Sequence, residues 1–157
     1  MLSRQHQHAI EARQYALQAL YHILVGDNDD AMADAIWIER FKEDFMEDAH
    51  DETCRFFTTL CQGVMTCYGQ MLASWQTFMH PRRPWRTLPV VIRAVLLLSM
   101  WEWCYAYEGG TRPTRPMNER EFIRAYLYLA DGFCHGKDVS FINALLHKIV
   151  HGEGISV

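Results

Sequence analysis

One stretch constrains the fold more than any other: Ala94-Val95-Leu96-Leu97-Leu98-Ser99-Met100-Trp101-Glu102-Trp103. Read as a helix, it is apolar on nearly every face. A helix of that kind is buried on all sides. It must stand at the centre of a bundle, with other helices packed round it. A membrane span is the competing explanation, and it fails on length. No unbroken apolar run exceeds the length of Ala94 to Leu98, far below the roughly 18 residues a span needs. A chain of 157 residues, half of them apolar, suffices for one domain with a real core.

The rest of the chain reads as the surrounding helices. Ile10, Leu17, Leu20, Tyr21 and Leu24 recur at helical spacing from about Ser3 to Val25, and Gly26-Asp27-Asn28 ends that helix. An acidic second helix is expected from Asp30 to about Ala49, on a thin stripe of Ile38, Phe41 and Phe45. Asp51 is read as the cap of a long third helix to about Met79. Its stripe is Phe56, Leu60, Val64, Cys67, Met71, Trp75 and Phe78. His80-Pro81-Arg82-Arg83-Pro84 breaks the pattern, since proline disfavours helix in the residue before it. The central helix starts near Leu88 or Pro89. Glu108 to Arg115 is a Gly/Pro loop, and Pro116 is expected to open a fifth helix to about Phe133, with Phe122, Tyr126, Leu129 and Phe133 inward. Gly136 breaks it, and a last helix runs from about Asp138 to His151. No alternating strand pattern and no internal repeat is found. The expectation is an all-α single domain over residues 1–157, a bundle of six to seven helices in two three-helix halves hinged near Pro81 to Pro84. Trp85, Leu96, Met100 and Trp101 are expected in its core.

Charge and cysteines narrow the function classes. The net charge of −4 is unevenly spread. Residues 27–52 carry eleven acids against Arg40 and Lys42, whereas residues 53–157 hold eleven Lys or Arg against seven acids. The acidity is one patch on a mildly basic remainder, which leaves room for a phosphate-binding face. Taken alone, such a run more often marks a solvated helix. Cys54, Cys61, Cys67, Cys104 and Cys134 are an odd number without zinc-like spacing. Free thiols in a reducing compartment are expected. The start of the chain lacks the apolar block of a signal peptide, so a cytoplasmic location is expected. His147 and His151 share a helix face, but Lys148 stands where a His-Glu-x-x-His motif needs its glutamate. Asp27, Asp29 and Asp30 fail the calcium-loop pattern at Met32 and Ile38. No serine or cysteine lies in a nucleophile setting. Neither enzymatic activity nor a cofactor is expected.

Four segments carry a resemblance. Ala16-Leu17-Gln18-Ala19-Leu20-Tyr21 lies in the first helix and Leu60-Cys61-Gln62-Gly63-Val64 in the third. Trp85, Leu88-Pro89, Arg93-Ala94-Val95-Leu96-Leu97 and Trp101-Glu102-Trp103 follow. Phe141-Ile142-Asn143-Ala144-Leu145-Leu146-His147-Lys148 closes the series. In this order and at these spacings they resemble the NusB family, small all-helical RNA-binding factors of bacterial transcription antitermination. Residues 27–50 do not contribute. The family's arginine-rich start is reduced here to Arg4 and Arg13, and Leu97 stands where an arginine is usual. Asn118-Glu119 looks like the family's pair at the start of the fifth helix, but counting back from Phe141 puts that position at Arg124-Ala125.

The resemblance implies a cytoplasmic factor that binds boxA-type single-stranded leader RNA together with ribosomal protein NusE, within the transcription elongation complex, on rRNA operons. It places the RNA surface at Arg4, Arg13, Gln18, Tyr21, Phe141 and Asn143. Lys137, read as lying in the loop before the last helix, adds a phosphate contact. Tyr21 is balanced between base stacking and core, and Phe141 leans to core. Asn143 within a helix favours a specific hydrogen bond. Arg82, Arg83 and Arg86 read as a solvated loop. NusE is expected on the third and fourth helices and the loops at their ends, with Asp27, Asp29 and Asp30 dispensable. Homodimerisation stays open. The alternatives are a diverged scaffold of this fold with little RNA binding, or an unrelated helical bundle. The catalytic domain that accompanies this fold in some RNA cytosine methyltransferases has no room here.

Overall fold

A computed structural model describes residues 3–26, 29–106 and 117–152. These residues form α1 (Arg4–Leu24), α2 (Ile36–Phe45), α3 (Asp51–Phe78), α4 (Val90–Met100), α5 (Glu119–Asp131) and α6 (Gly136–Val150). Short 3-10 turns span Asp29–Ala33 and Trp85–Thr87, and α4 runs on into a π-helical turn, Trp101–Tyr105. Among the described residues there is no strand, and no helix is long and apolar enough to cross a membrane.

As its composition requires, α4 is the centre. Every residue from Ile92 to Met100 is buried. α1, α3, α5 and α6 all pack on α4, and α1 and α3 also pack on each other, as do α5 and α6. Trp85, Leu96, Met100 and Trp101 all lie in one continuous core with the inner stripes of the other helices. That core crosses the expected hinge. Trp85 is buried and stacks on Trp75 of α3, ring centroids 6.0 Å apart, which ties the proline-rich linker to α3. From Ile92 on, burial also removes α4 from the surfaces available to a partner. The expected NusE contact is thereby reduced to α3 and the loops.

Several boundaries differ from the sequence reading, each for a local reason. α2 is shorter than expected, because the Asp34 carboxylate accepts from the Ile36 backbone N–H and closes a turn before it. His50, not Asp51, caps α3: its Nδ1 accepts from the Glu52 N–H at 3.1 Å. α5 starts at Glu119, where the Asn118 side chain accepts from the Glu121 N–H at 2.8 Å. The loop from Glu108 to Arg115, and Pro116, lie outside the described residues. α5 stops at Asp131, so Phe133 falls past its end and is exposed rather than inward. Gly136 begins α6 instead of preceding it.

All five cysteines are free thiols. Burial pushes the Cys61 thiol well above its usual range and that of Cys104 up to about 12. Thiolate is the reactive form, so both are expected to resist an aromatic disulfide reagent at pH 8 until the protein is denatured. Peptide mass mapping reads this. Labelling of Cys61 in the first, native phase contradicts the packing described here.

Candidate nucleic-acid interface

Ser3 caps the start of α1, its hydroxyl accepting from the His6 N–H at 3.2 Å. Fourteen residues separate Arg4 from Gln18, so the two share a face of α1 roughly 21 Å apart. Both are exposed. Tyr21, one turn beyond Gln18, is 43% exposed, with its ring edge-on to His22 at 6.2 Å. It is not a core tyrosine.

Arg13 lies half a turn from Arg4, in the inner stripe with Ala9, Ala12, Ala16, Leu17 and Leu20. Only 3% of it is exposed. Its guanidinium grips Glu102 of the π-helical turn through two bonds, Nε to Oε1 at 2.9 Å and Nη2 to Oε2 at 2.7 Å. The Phe56 and Tyr126 rings flank it at 5.4 and 5.6 Å. The Tyr126 hydroxyl donates to Glu102 Oε1 at 2.7 Å. Burial, then the Glu102 charge, raise the Tyr126 pKa well above its usual range, which keeps it a donor. For Arg13 burial acts downward, but the charge and hydrogen bonds of Glu102 outweigh it and the net shift is upward. A guanidinium so enclosed does not reach an RNA phosphate, and Arg13 leaves the expected contact set.

Lys137 is exposed in the first turn of α6 rather than in the preceding loop. Phe141 and Asn143 are half-buried on the same helix. The linker cluster, read from sequence as a solvated loop, joins them: the Arg83 guanidinium sits 4.3 Å from the Phe141 ring centre. A turn with Pro81 at its second position presents it, closed by the Arg83 N–H to the His80 carbonyl at 2.8 Å. Lys137, Phe141 and Arg83 thus form one group. Arg4, Gln18 and Tyr21 form another, on α1. α1 packs chiefly on α3 and α4, and α6 on α5 and α4. The two groups therefore sit on helices that pack on different neighbours.

The NusB family model matches residues 10–151. The chain belongs to the NusB family. A solved structure of NusB from T. maritima aligns with a TM-score of 0.73, over 99% of this chain and 96% of that one. At 15% identity that likeness speaks for the fold alone. No curated protein matches. One feature that marks the NusB resemblance and one that departs from it acquire structural reasons. Gly63 leaves the space that the Trp101 indole fills. Leu97, at the position where an arginine is usual, is wholly buried in α4.

Proposed function

We propose that this protein is a NusB-like antitermination factor that binds boxA-type single-stranded leader RNA together with ribosomal protein NusE, in support of rRNA operon transcription. Family membership sets the class. The exposed ring of Tyr21, beside exposed Gln18, is the observation that carries the site. An aromatic face open to water on a helix whose other large apolar side chains turn inward suits a stacked base. Arg4, Lys137 and the Arg83–Phe141 pair supply cations, and Asn143 a hydrogen-bonding amide. NusE docks on α3 and the loops at its ends.

The test is a titration of a boxA-containing RNA and a scrambled one, with and without NusE, at two salt concentrations. With Arg13 withdrawn, the protein alone binds weakly and with a shallow salt slope, since each phosphate contact adds about −0.7 to it. NusE raises affinity and steepens the slope. Tyr21→Ala costs roughly 1–3 kcal/mol of RNA binding with an unchanged thermal melt. If the complex binds boxA tightly and Tyr21→Ala binds as well as wild type, the site is misplaced. Equal affinity of the complex for boxA and scrambled RNA sinks the antitermination reading, and the diverged scaffold takes its place.

A further inference from the structure

α5 presents an outer face that none of the above uses. Arg120, Arg124 and Tyr128 follow one another at four-residue spacing, so they stand in a row about 6 Å apart along the axis. All three are exposed, and Tyr128 at 62% is the most exposed of the large apolar residues described. Neither arginine ion-pairs with a described carboxylate. The row is a ridge between two clefts, and all three residues line both of them. One cleft, about 680 Å³, lies between α5 and the first turns of α1, with Ala9, Ile10 and Ala125 in its walls. The other, about 690 Å³, lies towards α6, with Ile123, Leu127 and Val139.

Free guanidinium groups attract phosphate, and an exposed ring beside apolar clefts takes an unstacked base. A double helix cannot offer its bases in this way, whereas a single strand can. Glu119 and Asp131 stand towards the two ends of α5. Both line the cleft towards α6, and Glu121 lines the other, so a strand that crosses the helix keeps its phosphates on the Arg120–Arg124 ridge and only bases in the clefts. The crossing leads from α6 to the α1 cleft, whose wall includes Ser3 and His6, next to Arg4. The α5 face thus meets α1 at its first turns, on the helix whose far end carries Tyr21.

We infer that Arg120, Arg124 and Tyr128 form a second single-stranded RNA contact, one that takes nucleotides flanking boxA across α5. This rests on the RNA-binding reading. The test compares two RNAs on the NusE complex: boxA alone, and boxA extended by six nucleotides on each side. The extended RNA is expected to bind on the order of tenfold tighter. Arg120→Ala/Arg124→Ala removes most of that advantage and lowers the salt slope for the extended RNA by about 1.4, at 0.7 per contact. Tyr128→Ala removes it too, while both variants bind the short RNA as wild type does. Tyr21→Ala instead weakens both RNAs alike. No advantage of length, or one that survives both variants, overturns the α5 contact and leaves the boxA site standing. Loss of NusE binding in these variants, with RNA binding intact, assigns the face to protein and also overturns the inference. Failure of both RNAs to exceed scrambled controls brings down the inference together with the RNA reading.

Discussion

Glu102→Ala is expected to destabilise the protein by about 3–5 kcal/mol, the range for removing one partner of a buried ion pair. The side chains of Arg13 and Glu102 are only 4% and 2% exposed. Without Glu102, a guanidinium is left in an apolar wall, facing the Phe56 and Tyr126 rings. The Tyr126 hydroxyl loses its carboxylate acceptor as well. Against a typical total of about 5–15 kcal/mol, this is a large share. The pair itself need not be a net stabiliser, because desolvating both charges offsets most of their attraction. Arg13→Met/Glu102→Leu is therefore expected to recover most of what Glu102→Ala loses. Urea denaturation of the wild type, both single variants and the double variant gives the coupling energy. A Glu102→Ala loss below about 1 kcal/mol would falsify the enclosed-pair description.

Gly63→Ala carries the second large effect, and its sign is informative. In a helix, alanine is favoured over glycine by about 1 kcal/mol, so an unobstructed site gains stability. Here a Cβ would stand 1.9 Å from Trp101 Cε2 and 2.3 Å from Cζ2 and Nε1. No contact that close survives. The indole belongs to the π-helical turn and is only 4% exposed, so it has little room to withdraw. Overpacking of this kind costs about 1–3 kcal/mol, at times more, and outweighs the propensity gain. The atoms in the way lie on both rings of the indole, beyond the reach of a leucine side chain. In a Trp101→Leu background the same Gly63→Ala change is expected to cost far less, or to stabilise. Equal penalties in both backgrounds would show that Trp101 is not what excludes a side chain from residue 63.

The two sites differ in how far the sequence exposed them. Gly63 stood out as part of a motif, but its cause lay 38 residues away in Trp101 and required the packed structure. The arginine was legible and misread. Arg13 falls in the inner stripe of α1 by simple helical geometry, and Glu102 is the one acid in the most apolar stretch of the chain. A carboxylate there needs a cation, and that pairing was available from the pattern. The central helix, the helical class and the inward stripes followed from periodicity, because burial of an all-apolar helix leaves few alternatives. Helix starts were less legible. His50 in place of Asp51, and Asn118 in place of Pro116, were decided by side-chain hydrogen bonds that several neighbouring residues are equally able to make. The Arg83–Phe141 contact joins a linker to a helix 58 positions on, and no local pattern announces it.

The Arg13–Glu102 bond closes a loop of 89 residues, and this bears on how the chain is made. While α1, α2 and α3 leave the ribosome, the helix that fills their shared interior has not yet been translated. Their inner stripes can meet one another, since α1 packs extensively on α3, but the face meant for α4 remains open to water. Contacts this distant delay folding, because the intervening chain must be ordered before they are rewarded. Completion of residues 90–105 is thus the moment at which the early half acquires its wall and its arginine acquires a counter-charge. A nascent chain stalled before that point presents the apolar surface that chaperones recognise.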